Sequence, residues 1–128
     1  MRRCDRAVHA GTVVDEDALG RLLAAEQADA AERVASLAAD LDRLIQSAVG
    51  ANADDEHDPE GATIAFERAQ LAALLAASRQ RLADLDRAAA RLAAGTYGRC
   101  GSCGGPIGPE RLAARPAATT CVRCAATR

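Results

Sequence analysis

Two Cys-x-x-Cys pairs, Cys100-Gly-Ser-Cys103 and Cys121-Val-Arg-Cys124, lie in the last quarter of this 128-residue chain. A Cys-x-x-Cys turn presents two thiolates from one backbone bend, and a tetrahedral zinc ion takes four soft ligands at about 2.3 Å. The number and spacing of the thiols therefore predict that Cys100, Cys103, Cys121 and Cys124 bind one Zn²⁺ ion. Because four thiolates leave no open position for an activated water, we expect the zinc to be structural.

The residues around the cysteines predict how such a small module folds. Gly98 and Gly104 suit tight turns. We expect Ile107, Leu112 and the Tyr97 ring to form a small apolar cap beneath the metal. The module is too short to hold a core of its own, so its folding should depend on metal binding.

The composition of the whole chain is typical of helices. Hydrophobic residues make up 49% of it but aromatic residues only 2%, so the apolar content is mostly Ala and Leu. Such side chains suit two closely packed helices better than a broad layered core. A formal net charge of −2 argues against a protein that binds mainly by neutralising phosphates, and we expect no direct sequence-specific DNA binding.

Heptad-like spacing predicts an antiparallel helical hairpin, so the fold class is mainly α with a coiled coil. The first helix should run from Asp15 to Val49, with Gly50 as its stop. Its seam is Val34, Leu37, Leu41, Leu44 and Ala48, extended backwards with looser packing through Ala30, Gln27 and Leu23. The second helix should begin as early as Asp58 and end near Ala94, with Gly95 as its stop. Its seam is Ile64, Leu71, Leu75, Ser78, Leu82, Leu85, Ala89 and Leu92.

These patterns divide the chain into three parts. Residues 1–14 are expected to form a flexible N-terminal extension, residues 15–94 the coiled-coil hairpin with an acidic tip at 50–62, and residues 95–128 the four-cysteine zinc finger. No stretch approaches the roughly 18 apolar residues that span a bilayer, and no secretory signal is present. We therefore expect a cytoplasmic protein that does not bind membranes.

The stretch Gly95-Thr-Tyr97-Gly98-Arg-Cys100 through Cys124 resembles the DksA/TraR-type zinc-finger family. The resemblance includes both cysteine pairs, the Tyr-Gly entry and the segment Arg111-Leu-Ala-Ala-Arg-Pro116. It extends to the layout of a helical hairpin ahead of the finger, so it covers most of residues 15–128.

The resemblance implies a regulator that binds bacterial RNA polymerase and inserts its acidic coiled-coil tip into the secondary channel. An Asp-x-x-Asp-x-Ala motif acts at the tip in that family. Here Asp55 and Asp58 match its two acids, whereas Glu60 stands where the family has Ala.

Only four residues follow Cys124, so the response of longer family members to guanosine tetraphosphate is not carried over. We expect a monomer, since its own two helices satisfy the seam.

Other functions are compatible with parts of the sequence. A zinc ribbon that binds nucleic acid directly would need a basic and aromatic face. A coiled-coil adapter would use the heptads to form oligomers. A thiol redox protein would use Cys-x-x-Cys as a dithiol. The sequence has no nucleophile with a nearby base, no phosphate-binding glycine loop and no open metal shell, so we expect no enzymatic activity.

Overall fold

The computed structural model of the chain describes residues 15–49 and 59–127, and this part of the chain is mainly helical. The helices within these two ranges are α1 (Glu16–Val49), α2 (Pro59–Ala93), α3 (Pro109–Ala114) and α4 (Val122–Ala126). Helices α1 and α2 form a hairpin, and the described residues contain no strand beyond an isolated antiparallel bridge between Arg99 and Pro106. The predicted fold class, a helical hairpin followed by a four-cysteine finger, is confirmed.

Helix α1 begins at a side-chain cap. The Asp15 carboxylate accepts hydrogen bonds from the backbone N–H groups of Asp17 at 3.1 Å and Ala18 at 3.2 Å. These two donors have no partner within a helix, so the cap satisfies them. Glu16 and Asp17 lie in the first turn, where negative charge is favoured by the helix dipole.

Helix α2 begins at Pro59, a residue whose fixed φ and missing N–H suit the first helical position. Residues 59–62, which the sequence pattern placed in the tip, therefore belong to α2. The predicted stop at Gly50, the predicted cap Asp58, the tip residue Asp55 and the predicted extension at residues 1–14 lie outside the described residues.

The C-terminus of α2 is closed by a left-handed glycine, Gly95, at φ 76°. Its N–H donates to the carbonyl of Leu92 at 3.1 Å, and the Thr96 N–H donates to the carbonyl of Arg91 at 2.9 Å. This pair of bonds is a Schellman motif, which satisfies helix-end carbonyls and turns the chain sharply. The predicted end of the second helix before Gly95 agrees with the last helical residue, Ala93.

The chain divides into two compact units, and the first combines Met1–Gln27 with Ala83–Arg128. In its hairpin portion Leu23, Leu85 and Ala88 are at most 1% exposed. The Gln27 side-chain amide donates to the Asp86 carboxylate at 2.7 Å and so links the two helices. The sequence pattern assigned Ala89 to the seam, but Ala88 is the fully buried alanine and Ala89 is only partly covered.

The second unit, Ala28–Leu82, has a thinner core. Among the described residues of this unit, Ala30, Leu75 and Ser78 are buried. The predicted seam positions Val34, Leu37, Leu41, Leu44 and Ala48 are half-buried. Two helices alone can cover only a stripe of each other, so the flanks of these side chains stay open to solvent.

The expectation of looser packing around Leu23 and Ala30 was wrong. Leu23 is 1% exposed and Ala30 is 6% exposed, so both are more buried than the leucines further along α1. Gln27 suggested a weak seam because an amide is costly to bury without a partner. The hydrogen bond to Asp86 supplies that partner, so Gln27 does not interrupt the packing.

No described helix combines the length and apolarity needed to cross a bilayer.

Candidate metal centre

The first cysteine pair lies on a tight backbone turn. The Cys100 N–H donates to the Gly105 carbonyl at 2.7 Å, and the Gly104 N–H donates back to the Cys100 carbonyl at 2.9 Å. Gly104 has φ 73°, a conformation that a side chain disfavours. A second bond, from the Ile107 N–H to the Gly98 carbonyl at 2.8 Å, closes the base of this turn. Cys100 and Cys103 are thereby presented on one bend.

The second pair is presented by the start of α4. Cys121 is the residue before the helix, with an extended backbone, and Cys124 lies within the helix. The Ala125 N–H donates to the Cys121 carbonyl at 2.9 Å. The Gly101 N–H donates to the Thr119 carbonyl at 2.9 Å, so the backbone of the first turn is fastened to the segment that leads into the second pair.

The four sulfur atoms of Cys100, Cys103, Cys121 and Cys124 lie within 4.8 Å of one another. A tetrahedral zinc with ligands at about 2.3 Å needs sulfurs about 3.8 Å apart. The Cys103 and Cys121 sulfurs are 3.9 Å apart, and none of the four thiols is in a disulfide. The residues thus fit one four-coordinate metal ion, and the predicted convergence of the two pairs is observed.

The pKa values of two thiols in the cluster are shifted in opposite directions. Burial raises the pKa of Cys100, but hydrogen bonds from the backbone of Cys121, Cys103 and Ser102 outweigh this effect and lower the pKa to about 6. The pKa of Cys124 is raised, first by its hydrogen bond to the Cys121 thiol and then by burial. Clustered thiolates repel one another, so they cannot all ionise without a positive ion between them. A divalent zinc supplies that charge when it is bound.

An apolar cluster surrounds the cysteines, as expected, but Tyr97 has a different role. Cys100, Ile107 and Cys121 are its buried members, and Leu112 and Ala118 are among the partly buried residues that pack against it. The Tyr97 hydroxyl donates to the carbonyl of Pro116 at 2.8 Å. The tyrosine therefore ties the entry of the finger to the segment before the second cysteine pair.

The burial of Tyr97 also affects its ionisation. Partial burial raises the pKa of the phenol, and the positive charge of Arg91 opposes this shift. The hydroxyl thus remains protonated and able to donate at neutral pH. From the sequence, Tyr97 was assigned only an apolar role, because a hydrogen bond to a backbone carbonyl nineteen residues away leaves no local pattern.

The sequence pattern also did not show which arginine of the finger is held in place. The Arg111 Nε donates to the carbonyl of Thr120 at 2.8 Å, and the Arg115 N–H donates to the Arg111 carbonyl at 2.7 Å. A count of charge identifies the finger as basic but does not show that one guanidinium is held by the backbone. Arg111 is half-buried, whereas Arg115 is exposed.

Comparison with known sequences shows that the finger matches a known zinc-finger family. Residues 95–128 match the sequence model of the prokaryotic dksA/traR C4-type zinc finger. No curated protein matches the chain. The predicted resemblance is confirmed for this module, and so is the predicted cofactor, one Zn²⁺ ion at four cysteines.

Comparison with solved structures extends the similarity beyond the finger. The chain is similar to the structure of transcription factor DksA2 from Pseudomonas aeruginosa, with a TM-score of 0.73 and 28% sequence identity. The match covers 88% of this chain and 81% of the other. At 88% coverage of this chain, the similarity to this transcription factor includes residues of both the helical hairpin and the finger.

Proposed function

We propose that this chain, in which a dksA/traR C4-type zinc finger follows a helical hairpin, is a transcription regulator that binds bacterial RNA polymerase in the cytoplasm. The observation that carries the proposal is the similarity to transcription factor DksA2 over 88% of the chain. A hairpin alone is common, and so is a four-thiol zinc site. Their combination in one chain with a family-specific finger is far more restrictive.

The proposed contact with the catalytic region of the polymerase is the acidic part of the chain formed by the connection between α1 and α2 and by the start of α2. Asp54, Asp55, Glu56, Asp58 and Glu60 crowd this part of the sequence. No arginine occurs between Arg43 and Arg68. A concentrated negative charge is attracted to a basic channel or to a bound magnesium ion. We assign the action at the tip to Asp55 and Asp58, which have the spacing of the family motif.

The proposed mechanism is binding without a covalent step. A regulator shifts the equilibrium between two states of its partner only by binding one of them more tightly. The chain would insert its hairpin into the secondary channel as a monomer and change the stability of promoter complexes. In the finger Cys100, Cys103, Cys121 and Cys124 would hold one zinc ion, whose role is to keep the finger folded.

The test is the affinity of the zinc-loaded protein for purified core RNA polymerase, measured with and without a competitor that occupies the secondary channel. We expect saturable binding that the competitor abolishes. Binding that persists with the channel occupied would reject insertion, and no binding at micromolar protein with zinc confirmed would reject the polymerase as the partner.

The tip assignment is tested with the variants Asp55→Asn and Asp58→Asn, and with Asp54→Asn as a matched control. Asparagine caps a helix about as well as aspartate, so Asp58→Asn removes the charge and keeps the cap. Both tip variants should bind polymerase but lose most of the effect on the lifetime of promoter complexes. If Asp54→Asn loses the effect equally, total charge matters and the spacing of the motif does not.

A further inference from the structure

The part of the hairpin that lies farthest along α1 has no buried side chain among its described residues. This distal segment comprises residues 31–49 of α1 and residues 61–74 of α2, all within the second compact unit. Its leucines and isoleucines on the seam are only half-buried. In the first unit, by contrast, Leu23 and Leu85 are at most 1% exposed. A residue of the distal segment therefore contributes less hydrophobic free energy to folding than a seam residue of the first unit.

The sequence of α2 contains a physical reason for this thin packing. Followed backwards from Leu75 in steps of four and three residues, the seam passes through Leu71, Arg68 and Ile64. Arg68 is exposed, whereas Leu71 and Ile64 are half-buried. A guanidinium is costly to remove from water, so an arginine at a seam position keeps its charged end in solvent and does not fill the seam. Polar residues at such positions lower the stability of a coiled coil.

We infer that the distal segment opens and closes as a local unit while the first unit stays folded, and that Arg68 sets how often it opens. Local opening occurs in native proteins where few apolar side chains are buried. Most of the stability of a helix in a protein comes from the packing of its apolar face, so two helices that separate also lose order themselves. The first unit has completely buried leucines and the hydrogen bond from Gln27 to Asp86, so it should remain closed.

Opening changes the fraction of the protein that can present its tip on an ordered hairpin. The two parts of the distal segment flank the proposed tip residues Asp55 and Asp58 in the sequence. When only the closed form binds, the apparent affinity for the polymerase falls in proportion to the closed fraction. This consequence rests on the proposed function, whereas the opening itself is a property of the free protein.

Amide hydrogen exchange of the free, zinc-loaded chain measures the opening, with mass spectrometry of peptides as the readout. The peptides compared lie away from the helix ends, in residues 31–45 and 65–74 of the distal segment and in residues 20–27 and 83–93 of the first unit. We expect the amides of the distal segment to exchange at least about tenfold faster than those of the first unit, after correction for intrinsic rates. Equal protection of the two parts would overturn the inference.

The variant Arg68→Leu tests the assigned cause. Leucine and arginine have similar helix propensities, so the change acts on the seam and not on the helix itself. Exchange should slow about tenfold in both residues 65–74 and residues 31–45. It should not change in residues 20–27 and 83–93. The slowing in α1 is the decisive result, because a substitution in α2 reaches α1 only through the packing of the two helices.

The variant Arg79→Leu is the matched control on the same helix. Arg79 is exposed and lies beside the buried Ser78, not in the seam, so the variant makes the same change of charge and size. Its exchange should stay within about twofold of the wild type. The assignment of Arg68 would be overturned by unchanged exchange in Arg68→Leu, by equal slowing in both variants, or by slowing that grows with protein concentration and so comes from the pairing of two copies. The experiment needs no polymerase, so its failure and the failure of the proposed function are distinguishable.

Discussion

The replacement Leu85→Ala tests whether the hairpin depends on the side chains that the structure buries completely. Leu85 is 0% exposed, in the same unit as Leu23 at 1%. The change removes apolar groups worth about 2.4 kcal/mol at about 0.8 kcal/mol for each CH₂. An enclosed position also leaves a cavity, so the total loss should be about 3 kcal/mol.

Leu74→Ala is the matched control on the same helix. Leu74 is 41% exposed, so the same change loses only part of the transfer free energy and leaves no enclosed cavity. We expect a loss of about 1.4 kcal/mol. Unfolding by urea, followed by the circular dichroism of the helices in zinc-loaded protein, gives both values. Equal losses for the two variants, or a loss below about 1 kcal/mol for Leu85→Ala, would refute this account of the hairpin.

Three further predictions concern the finger. Zinc affinity should fall as the pH is lowered from about 8 to about 6. The hydrogen bond to the Cys121 thiol raises the pKa of Cys124, and the Cys124 thiol must lose its proton before it binds metal. Competition with a chromophoric chelator measures the affinity, and an affinity independent of pH would contradict the prediction. Gly104 has φ 73°, so Gly104→Ala should destabilise the finger by about 1 kcal/mol, measured as weaker zinc binding in the chelator competition. In the control Gly101→Ala the added Cβ would lie 3.6 Å from the nearest atom, so this variant should lose clearly less. Tyr97→Phe should increase amide hydrogen exchange in the finger because it leaves a buried carbonyl without its donor at a cost of about 1–2 kcal/mol, and unchanged exchange would show that the hydroxyl does not hold the segment.

Local patterns predicted the parts of the fold that depend on local physics. The step of three and four residues identified both long helices, since that period follows from the geometry of the helix itself. Gly95 marked the end of α2 because a left-handed residue is what a Schellman motif requires. The cysteine pairs likewise predicted a shared metal, since the turn that each pair forms is a local structure.

The errors arose where a residue depends on a partner far away in sequence. Gln27 resembled a weak point of the seam until the structure showed Asp86 opposite it, 59 residues later. The choice between Ala88 and Ala89 depends on how α2 is rotated against α1, and alanines at adjacent positions carry no signal of that rotation. Tyr97 was assigned to an apolar cap, because its carbonyl partner can be recognised only when the finger is folded.

Local sequence signals were enough to predict a hairpin of two helices followed by a zinc finger, because helix periodicity, terminal glycines and cysteine spacing act within one or two turns of the chain. Only the folded molecule shows which hydrophobic residues are buried completely, which donors hold the finger closed and which arginine of the finger is held by a backbone carbonyl. Those properties depend on distances between residues that are remote in sequence, and such distances are fixed only when the segments pack together.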